Sequence, residues 1–192
     1  PGFPGNGEKR KANENGRYKA VFVGEISPRK DPMTLLKALG AGASEKWSVT
    51  FLGEGVQRQE CADYAEERGI SGAVTFAGQV KDVRPYLQDA DAIVSTSLGE
   101  GFPNSLLEGL ASGLSPILTE IPPHIEAMEG APALARFFKV GDYARLAKLM
   151  MEWRQPDPQR IREYAVNFHG VGRMVDEYLE LYDTAGAKGV TQ

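Results

Sequence analysis

The sequence has little cysteine, no surplus of basic residues and no long apolar run, and each absence excludes a class of protein. Cys61 is its single cysteine, so intramolecular disulfides cannot form and a reducing compartment is favoured. The formal net charge of -4 lacks the basic surplus that nucleic-acid-binding proteins concentrate on one surface. No apolar run reaches the roughly 20 residues that span a bilayer, and no signal-peptide pattern is present. We therefore expect a cytoplasmic protein without a nucleic-acid partner.

What the sequence does contain is typical of a soluble globular protein. Of its 192 residues, 42% are hydrophobic and 25% are charged, and 22 glycines and 12 prolines indicate many turns. This length suits one compact domain with a core of its own. Residues 1–17 are rich in glycine, proline, asparagine and charge, which predicts a linker at a domain boundary and a chain cut from a longer protein. Residues 18–192 would then form the domain.

From residue 18 onward, short runs rich in β-branched residues alternate with longer stretches of helical period. That order is typical of a parallel sheet with helices on both faces, the doubly wound α/β architecture. Strands are predicted at residues 20–23, 49–52, 74–77, 92–95, 116–119 and 136–140. Helices are predicted at residues 57–68, 143–153, 158–168 and 171–182. The last of these carries an apolar stripe, which either the sheet of this domain or a partner must cover.

Three of the predicted strands end in glycine, namely Gly24, Gly53 and Gly78. In open α/β sheets ligands bind outside the carboxyl ends of the strands, and glycine there lets the backbone approach closely. Taken singly, each could be an ordinary turn glycine. Together at one edge they favour a binding crevice, and we count them and the neighbouring Gln79 as candidate substrate-binding residues.

A further signal lies at residues 95–114, where a strand end passes through a polar loop into a helix. Pro103 suits a first helical turn, so the helix is predicted to begin near residues 101–103 with its free N–H groups facing the crevice. Such a helix start is a site for an anion. Glu100 precedes it, and Glu108, further along, lies well away from the leucine-rich face of the helix. Glu108 is therefore either solvated or part of the site.

These features occur in an order that resembles the donor domain of group 1 (family 4) glycosyltransferases. The matching segments are VFVGEISPRKDPMTLLKAL, VTFLGEG, VTFAGQVKDVRPYLQDADAIVSTSLGEGFPNSLLEGLASGLSPILT and VGDYARLAKLM. Members of this family have the GT-B fold, in which two Rossmann-like domains face each other, and they carry two glutamates separated by seven residues. The resemblance covers most of residues 18–182 and implies that the domain is Rossmann-like and binds a nucleotide sugar, as one half of such an enzyme.

The resemblance also implies roles for individual residues. Glu108 would hold the ribose hydroxyls of the nucleotide, because a carboxylate offers two acceptor oxygens to a diol. Glu100 would lie near the transferred sugar, and Lys30 would bind the pyrophosphate and assist its departure. The backbone after Glu100 would meet the sugar and the phosphates through its N–H groups. That stretch consists of Gly101, Phe102, Pro103 and Asn104, and Pro103 is the one member without an N–H.

At two places the sequence departs from the family pattern. Glu25 stands where the family usually has an arginine that shares the pyrophosphate with the lysine, which inverts a charge, and Arg29 is the candidate replacement. Residues 121–126, IPPHIE, contain prolines where the family commonly has glycines, so backbone donors are lost there. Glu126 matches the family glutamate of that segment. We expect His124 not to touch the ligand.

The expected activity is transfer of a hexosyl group from a nucleoside diphosphate sugar to a glycan or lipid-linked acceptor, with retention at the anomeric carbon. The acceptor site is expected on an N-terminal domain outside these 192 residues, so the isolated domain should be inactive. That domain would also make any peripheral contact with the inner face of the membrane. Donor activation should need no metal or other cofactor, and Cys61 should be structural.

Two alternatives to this activity stay open. One is a nucleotide-sugar epimerase of the same fold, which would act on the donor without an acceptor. The other is a module that binds a nucleotide sugar without turning it over, which the charge inversion at Glu25 motivates. Affinity that depends on the sugar is expected of a transferase and not of such a module.

Overall fold

The computed structural model describes residues 16–169, without the side chain of His169. In that range six strands form one sheet: β1 (Tyr18–Val23), β2 (Trp47–Leu52), β3 (Val74–Gly78), β4 (Ala92–Ser95), β5 (Ser115–Thr119) and β6 (Arg136–Phe138). The helices are α1 (Pro32–Gly40), α2 (Arg58–Glu67), α3 (Arg84–Asp89), α4 (Asn104–Ala111), α5 (Pro122–Glu126), α6 (Tyr143–Met151) and α7 (Pro158–His169). The predicted helix at residues 171–182 lies outside the described residues.

The order of the strands in the sheet is β3-β2-β1-β4-β5-β6, and every neighbouring pair is parallel. From β1 the chain proceeds outward through β2 and β3, then returns to the other side of β1 with β4. Val21 is accordingly paired with Thr50 on one side and with Ile93 on the other. The doubly wound α/β prediction is confirmed, and the reversal of direction between β1 and β4 opens a crevice at their carboxyl ends.

Alternation of side chains along the strands builds a core on each face of the sheet. In β1, Ala20 and Phe22 belong to the core beneath α1, α2 and α6, whereas Val21 belongs to the opposite core beneath α3, α4 and α7. Among the fully buried residues of the two cores are Leu35, Leu39 and Met150 on the first face and Leu110, Leu114 and Ile161 on the second. Both helical layers are therefore anchored on β1, which is also the strand that leads into the crevice.

An aromatic cluster closes the amino ends of the strands, opposite the crevice. The ring of Trp153 meets Tyr18 edge-on at 4.5 Å and Trp47 at 5.0 Å between ring centroids. The indole N–H of Trp153 donates to Ser115 Oγ at 3.2 Å, and that of Trp47 donates to the Met150 carbonyl at 2.8 Å. Because both buried indoles have acceptors, the cluster is satisfied as well as packed. Between residues 16 and 169 no helix has the length and apolar character to span a membrane.

Candidate functional site

Backbone packs directly against backbone where β1, β2 and β3 end. The N–H of Gly53 donates to the Gly78 carbonyl at 2.8 Å, and that of Gly24 donates to the Leu52 carbonyl at 2.9 Å. A Cβ on Gly53 would lie 2.0 Å from the Gly24 carbonyl oxygen, so only a hydrogen fits. The three strand-end glycines therefore lie side by side, followed by the exposed Gln79. Their contact with a substrate stays a prediction.

The loop between β1 and α1 is tied to the loop between β4 and α4 across the crevice. Asp31 caps α1 with a positive φ of 44°, and its carboxylate accepts from the Thr34 N–H at 3.2 Å and from the Thr34 hydroxyl at 2.6 Å. The Thr96 hydroxyl lies 2.9 Å from the Lys30 carbonyl and 2.7 Å from that of Asp31. These bonds bring the predicted residue Lys30 to the residues that follow β4.

Lys30 and Glu100, two of the residues singled out in the sequence, form an ion pair. The Lys30 ammonium lies 2.5 Å from Glu100 Oε1, the Ser97 hydroxyl donates to the same oxygen at 2.6 Å, and Arg29 Nη1 lies 3.3 Å from Oε2. The Glu100 and Lys30 side chains are only 7% and 12% exposed, whereas that of Arg29 is 54% exposed. The sequence predicted both members of the pair without predicting that they meet.

Glu100 is ionised in this setting at neutral pH. Burial by itself raises the pKa of the carboxyl, but hydrogen bonds from Lys30 and Ser97 and the charges of Lys30 and Arg29 outweigh it, so the pKa lies below its ordinary value of 4.5. Two cations then share one anion. The cluster keeps one surplus positive charge, and the exposed guanidinium of Arg29 is its most accessible part.

Glu25 is one of the two places at which the sequence departs from the family pattern, and Arg29 is the candidate replacement for the missing arginine. Arg29 also donates to the Gly99 carbonyl at 2.9 Å, so its guanidinium is fixed beside Glu100. Glu25 is exposed, and within the described range it forms no ion pair. Arg29 thus adds a second positive charge beside Lys30, and its role as the replacement for the missing arginine stays a prediction. Glu126, at the end of α5, is likewise exposed.

Helix α4 begins one residue later than predicted. Pro103 has φ -83° and ψ 63° and precedes the helix, because the Asn104 N–H turns back to the Phe102 carbonyl at 2.9 Å. The prediction that Asn104 offers a free N–H is therefore wrong. Among the described residues no acceptor meets the backbone N–H groups of Gly101, Phe102, Ser105 and Leu106. These four groups are the available anion donors at the start of this helix.

Glu108 is exposed, as its position away from the leucine-rich face predicted. Its side chain lines an open groove of about 450 Å³ between α4 and the segment that follows β3. Arg84 holds that segment by donating to both oxygens of Asp82 at 2.8 Å. The other lining residues are Lys81, Val83 and Leu87. This wall of the groove was not predicted from the sequence, although its charged run between a strand and Pro85 was the available signal.

His124 is buried, with 1% exposure, at the inner side of the site. Its Nδ1 lies 2.9 Å from the Thr119 carbonyl oxygen, which can only accept, so the ring proton is on Nδ1. The imidazole lines a small cavity of about 10 Å³ together with Lys30, Ser97 and Ser105. Sequence reasoning missed Ser97 and Thr119. The signal was a hydroxyl residue at or just beyond the carboxyl ends of β4 and β5.

We expect His124 to make the protein less stable as the pH falls from about 7 to about 5. Burial lowers the pKa of His124 below its ordinary value of 6.5, and the charge of Lys30 acts in the same direction, against the Thr119 hydrogen bond and the charge of Glu100. The unfolded chain then takes up a proton at higher pH than the folded chain. Below pH 6.5 the free energy of unfolding should fall by up to about 1.4 kcal/mol per pH unit.

Urea unfolding at a series of pH values measures this slope. His124→Asn should flatten it, with both proteins carrying His169→Asn so that the second histidine does not contribute. Protonation of Glu100, whose pKa is lowered, reduces stability only below about pH 4.5. That pH range is separate from the range of His124, and the loss is common to both proteins. Parallel curves for the two proteins above that range would contradict the prediction.

The described residues show no site for a metal or a reactive thiol. Between residues 16 and 169 no group of three or more His, Cys, Asp or Glu side chains could hold a metal ion. Burial, with a further contribution from Glu60, raises the pKa of the Cys61 thiol to about 11. The thiol is therefore protonated at neutral pH and inert, in agreement with a structural role.

Comparison of the sequence with models of protein families identifies the family. The model described as "Glycosyl transferases group 1" matches residues 17–155. The chain belongs to this family. The match covers all six strands and every residue of the Lys30–Glu100 cluster and of the Glu108 groove.

The proteins to which this group 1 chain is similar are longer than the chain. Bacillus subtilis EpsD, provisionally named a glycosyltransferase, is 29% identical over 84% of this chain and 44% of its own length. Rhizobium meliloti LpsE, a lipopolysaccharide core biosynthesis glycosyltransferase, is 38% identical over 52% of this chain and 28% of its own. The structure of Anabaena HepE in complex with UDP matches with a TM-score of 0.76 at 16% identity, over 88% of this chain and 49% of HepE. The Rossmann-like fold is confirmed, and the chain spans less than half of each relative.

Proposed function

We propose that this chain is the donor-binding half of a retaining glycosyltransferase that transfers a hexosyl group from a nucleoside diphosphate sugar to a glycan or lipid-linked acceptor. The observation that carries the proposal is the Lys30–Glu100 pair, flanked by the exposed Arg29 and the start of α4 at the crevice between β1 and β4. Membership of group 1 supports glycosyl transfer as the reaction.

The diphosphate is proposed to lie against Lys30, Arg29 and the free N–H groups at the start of α4. Negative charge develops on the leaving diphosphate as the glycosidic bond breaks, so fixed cations and N–H donors stabilise that state more than the ground state. Arg29 supplies the second cation that Glu25 cannot. Glu100 holds Lys30 in place and presents its carboxylate towards the transferred sugar. No further cofactor is needed for this division of roles.

The nucleoside is proposed to occupy the groove lined by Glu108. A groove of about 450 Å³ is in the range of small-molecule sites, and the exposed carboxylate of Glu108 can accept hydrogen bonds from both ribose hydroxyls. HepE has been crystallised with UDP, which makes UDP the first nucleotide to test. The acceptor is proposed to be a glycan or glycolipid, since LpsE is named for lipopolysaccharide core biosynthesis.

The other half of the enzyme is proposed to cover the carboxyl edge of the sheet. Large apolar side chains are exposed there on the segments after β2, β4 and β5: Val56 at 84%, Leu98 at 48%, Phe102 at 68% and, in α5, Ile125 at 48%. Exposed apolar residues around a ligand site are typical of a surface that another domain contacts. An N-terminal domain would bring the acceptor and any contact with the inner face of the membrane. Without it, the chain should bind donor and not transfer the sugar.

Isothermal titration with UDP, GDP, ADP and the corresponding diphosphate sugars tests the proposal. A transferase donor site should prefer one base and bind its diphosphate sugar with an affinity that depends on the sugar. Equal affinity for a nucleotide with and without sugar would favour the inactive binding module. Absence of binding by both this chain and a longer protein that includes its partner domain would refute the proposal.

We expect Glu108→Gln to weaken UDP binding about tenfold, because a charge-assisted bond to a ribose hydroxyl becomes a neutral one. The exposed Glu66, on α2, provides the control, and Glu66→Gln should leave the affinity unchanged. Titrating the wild type and Glu108→Gln with UDP and with 2′-deoxy-UDP completes a thermodynamic cycle. If Glu108 binds the ribose, removing the hydroxyl and removing the charge should not be additive. Additive losses would mean that Glu108 acts elsewhere.

A further inference from the structure

A continuous series of hydrogen bonds joins His124 to the ion pair of the site. His124 Nδ1 lies 2.9 Å from the Thr119 carbonyl oxygen and 3.3 Å from the Thr119 hydroxyl. The Thr119 hydroxyl donates to the Ser97 carbonyl at 2.7 Å, and the Ser97 hydroxyl donates to Glu100 Oε1 at 2.6 Å. Lys30 donates to that same carboxylate oxygen. The series crosses from the end of β5 to the end of β4 and reaches the loop after β1.

In each hydrogen bond of this series, chemistry determines which group donates and which accepts. The Thr119 carbonyl must accept, so the imidazole donates from Nδ1, and the Ser97 carbonyl must accept, so the Thr119 hydroxyl donates to it. The Ser97 hydroxyl in turn donates to a carboxylate. Thr119 and Ser97 each accept on the backbone carbonyl and donate from the side-chain hydroxyl, so each of them fixes the position of one neighbour relative to the next. Each bond is strengthened by the low dielectric of its buried setting. Thr119 and Ser97 have no measurable exposure, and His124 has 1%.

The position of His124 also distinguishes it from a histidine that merely fills the core. Its ring lines a small cavity together with the polar residues Lys30, Ser95, Ser97 and Ser105 and with apolar residues of the sheet and α4, so the ring lies at the boundary between the core and the polar groups of the site. The charged groups that act on it are Glu100, from the loop after β4, and Lys30, from the loop after β1. A second cation beside Lys30 would be repelled, and a neutral ring avoids that repulsion.

We propose that His124 is a positioning residue for nucleotide diphosphate binding, whose neutral imidazole donates from Nδ1 and holds β5 against the Ser97–Glu100 segment. The inference rests on the proposed function, because what it positions is the Lys30–Glu100 pair that receives the diphosphate. His124 itself contacts neither phosphate nor sugar. Its influence reaches the ligand through Thr119 and Ser97.

Two substitutions at His124 separate this role from simple packing. The amide nitrogen of asparagine takes the place of Nδ1 and can still donate to the Thr119 carbonyl, whereas that of glutamine takes the place of Nε2 and cannot. His124→Asn should therefore keep the UDP dissociation constant of the wild type, and His124→Gln should raise it about fivefold, the value of one lost hydrogen bond. Affinity for uridine, which lacks the diphosphate, should be the same in all three proteins.

Thr119→Val provides a second route to the same result. Valine has nearly the shape of threonine and keeps the carbonyl that His124 contacts, but it removes the hydroxyl that donates to Ser97. It should weaken UDP binding about as much as His124→Gln, again about fivefold. Urea unfolding of every variant shows that the titrations are made on folded protein.

The tautomer of His124 can be observed directly, because the chain has only two histidines. A long-range ¹H–¹⁵N spectrum of His169→Asn should show a neutral ring with its proton on Nδ1, the minor form of free histidine. A proton on Nε2, equal UDP affinities of His124→Asn and His124→Gln, or parallel losses for UDP and uridine would each overturn the inference. If the wild type binds no nucleotide, the proposed function fails and this inference with it; if it binds and the variants do not differ, only this inference fails.

Discussion

Replacing Lys30 with methionine is expected to lower the affinity for UDP about 100-fold and the free energy of unfolding by about 2 to 4 kcal/mol at neutral pH. The affinity is expected to fall because the proposed diphosphate site loses its buried cation. The stability falls because Glu100, only 7% exposed, then keeps a charge that only Ser97 and the more distant Arg29 stabilise. Titration calorimetry and urea unfolding measure the two losses separately.

The pH dependence of the Lys30→Met protein has a definite sign. Without the ammonium, the bond and the charge that chiefly lower the pKa of Glu100 are lost while burial still raises it, so we expect the pKa to rise above that of the unfolded chain and the variant to lose stability as the pH rises. Its deficit relative to wild type should be largest at neutral pH and narrow towards about pH 4. In wild type the opposite holds, since the pKa of Glu100 is lowered.

A double variant and a surface control separate the effect of Lys30 on stability from its effect on UDP affinity. Lys30→Met with Glu100→Gln removes the unpaired charge, so it should recover much of the lost stability and none of the lost UDP affinity. Lys37→Met changes an exposed lysine in the last turn of α1 and should alter neither quantity. Stability of the single variant equal to that of the double variant would show that the ion pair does not support the fold.

Most of the fold could be predicted from the sequence because local pattern determines it. The strands starting near Ala20, Val49, Val74, Ala92, Pro116 and Arg136 are found within two residues of their predicted bounds. Short β-branched runs bounded by glycine hold their strand character wherever they lie in the sheet. The position of β4 beside β1 was not predictable in this way. It depends on packing between residues some 70 positions apart.

The site shows the same division between what local pattern fixes and what long-range packing fixes. Lys30 was identified through the resemblance to the family, and Glu100 and Glu108 through their spacing around a helix start together with that resemblance. Their partners were not, because the Lys30–Glu100 pair and the Glu108 groove exist only once β1, β3 and β4 are arranged in the sheet. The free N–H groups at α4 were misplaced for a local reason. A tight turn at Phe102 uses the Asn104 N–H, which residue types alone do not reveal.

Gly53→Ala is expected to lower the free energy of unfolding by about 3 kcal/mol or more and to weaken UDP binding as well. Gly53 has φ 148°, where a side chain is strained, and its Cβ would lie 2.0 Å from the Gly24 carbonyl oxygen and 2.8 Å from the carbonyl carbon. Both obstacles are backbone, so no rotamer change relieves them. The loop after β1 must move away from β2, which breaks the bond from the Ile26 N–H to the Glu54 carbonyl at 2.9 Å.

The effect on UDP follows because this same loop carries Arg29 and Lys30. Gly42→Ala is the matched control: Gly42 also has a positive φ, of 112°, but nothing lies within 4 Å of its Cβ position. That variant should show the backbone strain alone, about 1 kcal/mol, with the affinity for UDP unchanged. Equal losses of stability in the two variants would mean that moving the loop after β1 away from β2 costs no free energy. Full UDP affinity in Gly53→Ala would separate the position of this loop from nucleotide binding, and the glycine contact would then support only the fold.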